Sequence, residues 1–184
     1  MGLFGGLFVK NSNREEGIYK DGKKEGRWVK WDRYGNKHSE ENWKNGELEG
    51  LVTRWHDNGQ KMYESNWKDG KAEGLKTWWY INGQKDNEVT CKNGKLEGLK
   101  TKWYERGQKS YEENYTDGRI SGLRTDWYEN GQKLSEENYI GGELDGLRTV
   151  WYDNGQKMHE SNWKEGNWKD GTGILPTPTK THSK

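Results

Sequence analysis

A spacing of 24 residues recurs through this chain in six copies without a slip. Gly26, Gly50, Gly74, Gly98, Gly122 and Gly146 keep it, as do Trp31, Trp55, Trp79, Trp103, Trp127 and Trp151 and the turn glycines Gly35, Gly59, Gly83, Gly107, Gly131 and Gly155. A fixed period of this length signals an array in which each unit packs only on its neighbours. Such arrays offer extended surfaces to partners and seldom enclose a single catalytic pocket, so the period bears on function as well as on fold.

Taken from Gly50, the unit reads GLVTRWHDNGQKMYESNWKDGKAE. Two turn signals divide it. Asn58-Gly59, Asn82-Gly83, Asn130-Gly131 and Asn154-Gly155 match the two-residue type I′ hairpin, whose central residues both need positive φ. Asp69-Gly70, Asn93-Gly94 and Asp117-Gly118 repeat the signal half a unit later. Between them lie segments rich in Trp, Tyr and Thr that no proline interrupts, as strands require. If both turns hold two residues, Trp55 faces Met62, Thr53 faces Glu64, Leu51 faces Asn66, and Trp67 faces Gly50 on one neighbour and Ala72 on the other. Because the period is even, each residue type returns to one face. Leu51, Thr53 and Trp55 head one set of columns; Gly50, His56 and Trp67 head the other, with Tyr80, Tyr104, Tyr128 and Tyr152 at the His56 place.

The expected architecture is all-β, an elongated single-layer antiparallel β-meander of 24-residue hairpin repeats with roughly fourteen strands. Propeller blades need about 40 residues per repeat, and β-helices carry longer aliphatic ladders. Residues 1–13 read as an N-terminal apolar cap, and 14–171 as the array. It opens with a half-repeat (Glu16, Tyr19, Gly22), continues with repeats starting at 26, 50, 74, 98, 122 and 146, and ends on a partial strand expected from Gly171. Pro176 and Pro178 stop ladder pairing, so 172–184 reads as a flexible tail.

Composition fits a thin sheet. Only 28% of the 184 residues are apolar and mean hydropathy is −1.43, too polar for a thick two-layer core. Disorder is opposed by a net charge of +1 and by 12 Trp and 10 Tyr, each ring able to bury roughly 150–250 Å². With 31 basic against 30 acidic residues, no excess of cations marks a nucleic-acid binder. Cys91, the one cysteine, stands at an aromatic packing position and supports neither a disulfide framework nor a cysteine zinc site. Met1–Val9 is too short to span a bilayer and lacks a basic leader and cleavage site, so the cytoplasm is the expected compartment.

Trp55, His56, Asn58, Gly59, Lys61, Glu64, Trp67, Gly70, Lys71 and Gly74, repeated in the following units, carry a clear resemblance. The chain resembles MORN-variant repeat proteins over about 150 residues, from Glu16 to Gly166. Tyr34 and Arg106 depart from the turn Asn, Asn36 from the turn Gln, and Cys91 from the aromatic. The resemblance implies an extended antiparallel sheet. Bacterial members are often labelled antitoxin components of toxin–antitoxin systems (YwqK type), and related MORN repeats are associated with scaffolding, dimerisation and phospholipid binding.

The column Glu40, Glu64, Glu88, Glu112, Glu136 and Glu160 is the most enzyme-like feature. Catalysis needs one special place, whereas this column recurs identically, which favours hydrogen bonding to Thr53-type hydroxyls and pairing with Lys. His38, His56, His159 and His182 occupy different positions of the unit and suggest no metal site. The aromatic columns Trp31, Trp55, Trp79, Trp103, Trp127, Trp151, Tyr80, Tyr104, Tyr128 and Tyr152 are the binding candidates, because Trp and Tyr dominate protein–protein hot spots. The expected function is a non-enzymatic protein-binding repeat scaffold, antitoxin or immunity-like in one version, without cofactor, metal or nucleic acid. Rival readings are a carbohydrate or cell-surface adhesin using the same rings, and a self-assembling or membrane-associated protein. An open sheet also leaves two edge strands, so homo-oligomers by edge pairing are expected as a further partner mode.

Overall fold

The structure, a computed structural model, describes residues 14–172. Its strands are β1 Glu15–Lys20, β2 Lys23–Trp31, β3 Lys37–Lys44, β4 Glu47–Leu48 and β5 Gly50–Trp55. They continue as β6 Lys61–Lys68, β7 Lys71–Trp79, β8 Lys85–Lys92, β9 Lys95–Trp103 and β10 Lys109–Thr116. The last five are β11 Arg119–Trp127, β12 Lys133–Ile140, β13 Glu143–Trp151, β14 Lys157–Lys164 and β15 Asn167–Thr172. All 15 belong to one antiparallel sheet in meander order, with β4 pairing β3 one residue ahead of β5. The main path therefore has the fourteen rungs that the turn signals require.

Two kinds of turn alternate, and only one is the kind read from the sequence. At Asp69-Gly70 both residues have positive φ, 48° and 69°, and Lys68 pairs directly with Lys71. This is a two-residue type I′ turn. Both central residues also have positive φ at Asp21-Gly22, Asn45-Gly46, Asn93-Gly94, Asp117-Gly118, Gly141-Gly142 and Glu165-Gly166.

The turns at Asn58-Gly59 and its equivalents are different. His56 N–H donates to the Gln60 carbonyl and Gly59 N–H to the His56 carbonyl, both at 2.9 Å, and of the turn residues only Gly59 has positive φ (82°). With neither central residue at positive φ and no cis peptide, this is a type I turn closed by a left-handed glycine, spanning five residues. Trp55 consequently pairs with Lys61, and Met62 is the extra residue of a bulge; the expected Trp55–Met62 pair does not form. His56 and the tyrosines at its place lie in these turns, outside the strands. Asn58 adds to this turn: its Oδ1 accepts from Gln60 N–H (3.0 Å) and its Nδ2 donates to the Ile81 carbonyl (2.7 Å), although the Arg106-Gly107 turn closes in the same way without an Asn.

The remaining register follows the sequence count. Gly50 faces Trp67, Leu51 faces Asn66, Thr53 faces Glu64, and Trp67 faces Ala72 on its other side. A second irregularity sits near the I′ turn. Ser65 pairs with Lys76 and Trp67 with Ala72, which leaves Asn66 opposite Glu73, Gly74 and Leu75. Gly74, with φ at 78°, makes that bend, so the repeat glycine marks a bulge as well as a place opposite a ring. Two extra residues preserve face parity, which is why the columns survive it.

The described residues divide into two compact units, 14–84 with 91–94, and 85–90 with 95–172. The first buries apolar side chains, including Trp28, Val29, Val52, Tyr63, Ala72 and Cys91. The second buries mainly polar ones: Thr101, Glu113, Thr125, Ser135, Glu137, Thr149 and Ser161. At the ends, β1 is the opening half-repeat. The closing strand starts directly after the Glu165-Gly166 turn, earlier than the expected Gly171, because Asn167 pairs with Lys164 and Trp168 with Trp163. Thr172, expected to begin the tail, instead ends β15 by pairing with Glu160; the apolar cap at 1–13 and the rest of the 172–184 tail lie outside the described residues.

Candidate functional site

One face of each unit carries the leucine, threonine and tryptophan columns. In the first unit Trp31, Trp55 and Trp79 end β2, β5 and β7; in the second Trp103, Trp127 and Trp151 end β9, β11 and β13. All six are half-buried. Each ring takes a cation from upstream: Arg14 lies 4.9 Å from the Trp31 ring centre and Lys37 5.1 Å from Trp55. Lys61, Lys85, Lys109 and Lys133 stand 5.6–5.9 Å from Trp79, Trp103, Trp127 and Trp151. Each such contact stabilises by about 0.5–1 kcal/mol at an exposed site.

These five lysines, with Lys157, hold the glutamate column. Lys37–Glu40 (2.9 Å), Lys61–Glu64 and Lys85–Glu88 (both 2.5 Å), Lys109–Glu112 and Lys157–Glu160 (both 2.6 Å) are ion pairs, and Lys133 pairs with Glu136. Thr101 Oγ1 donates to Glu112 (3.2 Å) and Thr149 Oγ1 to Glu160 (3.3 Å). At Thr101 the hydroxyl, Glu112, Lys109 and Trp127 form one chain, and the Lys–Glu pair within it recurs at all six column positions. Glu40 is also clamped by Arg27 (2.6 Å), and that hydrogen bond, with help from Lys37, lowers its pKa to about 2. The Lys157 hydrogen bond likewise lowers the Glu160 pKa.

The tyrosine column is engaged within the sheet. Tyr104 and Tyr128 hydroxyls donate to the carbonyls of Trp127 (2.7 Å) and Trp151 (2.9 Å), and His56 Nε2 stands 2.7 Å from the Trp79 carbonyl. Tyr80 and Tyr152 open the equivalent turns, their amides donating to Gln84 and Gln156 carbonyls at 2.9 Å. Gly35, Gly59, Gly83, Gly107, Gly131 and Gly155 all have φ between 82° and 90°, as their turn role demands.

Three features were missed from sequence. The first is the leucine column: Leu51 and Leu75 in the first unit, and Leu99, Leu123 and Leu147 in the second, are each 42–50% exposed beside the half-buried tryptophans. Their identical place in the repeat was visible; that the bulge leaves them in water was not. A depression of about 340 Å³, lined by Leu147, Glu160, Ser161, Asn162, Asp170 and Gly171, opens beside the last of them.

The second is a pairing rule on the opposite face, where each large aromatic bonds the residue two positions earlier. Trp67 and Trp163 Nε1 donate to Ser65 and Ser161 Oγ (2.6 and 2.9 Å), Trp43 Nε1 to Glu41 (3.2 Å), and Tyr115 and Tyr139 hydroxyls to Glu113 and Glu137 (2.9 and 2.7 Å). Burial, then the Glu137 hydrogen bond, pushes the Tyr139 pKa up to about 12.

The third is a buried charge ladder in the second unit. Glu113, with a side chain 3% exposed, pairs with Lys100 (2.9 Å) and Arg124 (3.3 Å), and Arg148 pairs with Glu137 (2.7 Å). Burial opposes the Lys100 ammonium, yet hydrogen bonds to Tyr111 and Glu113 outweigh it and raise its pKa.

Among the described residues no three His, Cys, Asp or Glu side chains cluster to hold a metal ion, and no helix is long and apolar enough to cross a membrane. The MORN repeat variant family matches residues 48–69, 121–140 and 144–165. A comparison with curated proteins finds no match.

Proposed function

The chain is a MORN-variant repeat protein, and from that premise we propose that it is a non-enzymatic scaffold that holds a protein partner against its leucine–tryptophan face. The observation that carries this reading is the leucine column. Leu99, Leu123 and Leu147 in the second unit are 45–50% exposed at two-strand intervals, about 10 Å apart at the usual strand spacing. Single exposed apolar residues are ordinary, but a regular row of them rimmed by neutral Lys–Glu pairs suits an extended protein partner. The tryptophans beneath supply rigid ring area to the same surface.

The carboxylates support a non-enzymatic role because every Glu of the column is engaged with its own Lys in the same way. The sugar-binding alternative has less support: an Arg or Lys head already stands near each of the six rings. An antitoxin or immunity-like role in the cytoplasm is one concrete form of the proposal and draws on the family resemblance.

The test is affinity capture from the source cell with the full chain and with a Leu99→Glu, Leu123→Glu, Leu147→Glu variant. Circular dichroism confirms that the variant keeps its sheet. A stoichiometric protein lost only in the variant supports the reading; the same protein recovered equally by both would overturn it.

A further inference from the structure

We propose that Asn45 and Asn93 are the chain's sites of spontaneous covalent modification, loss of the side-chain amide through a cyclic imide. Six Asn-Gly pairs occur, at 45, 58, 82, 93, 130 and 154. Glycine follows in every case, so intrinsic reactivity is closely matched and the folded environment separates them.

Four are tethered. Asn58, Asn82, Asn130 and Asn154 each accept, through Oδ1, the backbone N–H two residues on, at 2.9–3.0 Å. Asn58 and Asn130 also donate from Nδ2 to the carbonyls of Ile81 and Asp153, both at 2.7 Å. These bonds hold the carboxamide away from the following glycine nitrogen. Asn45 and Asn93 sit instead as the first residues of I′ turns, exposed, with φ of 53° and 51°. Their backbone amides are bonded, to Glu25 and Glu73 carboxylates at 2.8 Å, and among the described residues their side-chain amides have no hydrogen-bond partner. The glycine amides are restrained alike in both groups. Gly46 and Gly94 donate to the Lys24 and Ala72 carbonyls (3.0 and 2.9 Å), and Gly59, Gly83, Gly131 and Gly155 to carbonyls of their own turns (2.9 Å). That restraint therefore cancels in the comparison.

The chemistry needs only water. The Gly46 nitrogen attacks Asn45 Cγ, forming a ring C–N bond as ammonia leaves and the nitrogen loses its proton. Water then opens the imide at either carbonyl, giving aspartate or, with one methylene added to the backbone, isoaspartate. Aspartate already occupies this place in the neighbouring turns at Asp21, Asp69 and Asp117, Asp69 with φ of 48°. The fold thus accepts the aspartate product and gains one negative charge on its turn edge, whereas isoaspartate lengthens the turn that joins Lys44 to Glu47.

The full native chain is held at pH 8 and 37 °C and sampled over weeks, beside the same chain in urea. Peptides cut at glutamate are scored for the gain of about 1 Da that amide-to-acid conversion brings. In the folded chain Asn45 and Asn93 are expected to convert about fivefold or more faster than Asn58 and Asn130, the factor one net hydrogen bond is worth. In urea all six converge. Native rates that are equal, or slower at 45 and 93, overturn the proposal, as does a spread in urea that matches the native one.

Discussion

Glu40 shows how much of this fold rests on charges that remain near water. Its carboxylate is 27% exposed and held by Arg27 and Lys37, and its pKa falls to about 2. A depressed carboxylate contributes its stability above its unfolded value and loses it as pH falls through the folded one. The contribution of Glu40 is therefore full above about pH 4.5 and disappears on acidification to about pH 2; with partial solvent screening it is on the order of 1 kcal/mol. Urea titrations at stepped pH should show this loss, and Glu40→Gln should flatten it. The aromatic side chains make a related point. Sequence identified Trp55 and Tyr104 as binding candidates by residue type, while the folded sheet gives one a lysine at its ring and the other a backbone partner.

At the scale of elements, the two turns look alike in sequence and differ in space. In the I′ turn Gly70→Ala is expected to cost about 1–2 kcal/mol, because a left-handed residue gains a Cβ penalty. The cost is conformational, since the nearest atom to that Cβ would be Glu47 Cβ at 3.6 Å. In the five-residue turn Asp57 is the first central residue of a type I turn, where proline is favoured, so Asp57→Pro should keep stability or raise it by about 0.5 kcal/mol. Thermal melts of both variants check this. A loss at Asp57→Pro as large as at Gly70→Ala would contradict the turn assignment. The charge ladder belongs to this scale too. Glu113→Ala leaves Lys100 without its carboxylate, while Arg124 keeps Asp126 at 2.9 Å, and should cost about 3 kcal/mol in chemical denaturation, whereas replacing Lys100 and Glu113 together by valine should recover most of it.

For the molecule as a whole, stability is a sum over neighbouring rungs. Removing residues 98–121, one 24-residue period, joins Glu97 to Gly122 and keeps every residue class in register. That variant is expected to fold with the same circular dichroism per residue and a lower melting temperature; an unfolded product would show that rungs beyond nearest neighbours are required. The end strands carry a further expectation. Ile18 and Tyr19 on β1 and Trp168 on β15 are 58–69% exposed, so the full chain should self-associate through these strands as its concentration rises. Light scattering reads this directly, and a mass that stays monomeric at all concentrations would rule it out.

The sequence by itself determined the period, the number of rungs, the antiparallel order and most of the register. Each depends on local turn chemistry and on the parity of the spacing between turns. It could not tell the two Asx-Gly turns apart, because the five-residue turn forms equally at Arg106-Gly107, so the choice rests on how the flanking strands pair rather than on the dipeptide. Nor could it show that Trp31 to Trp151 would lie against cations while the leucines stayed open to water. Only the tertiary structure decided these points: bulge placement and cross-repeat contacts set which side chains remain exposed, and both depend on residues some 18 to 24 positions apart meeting in space.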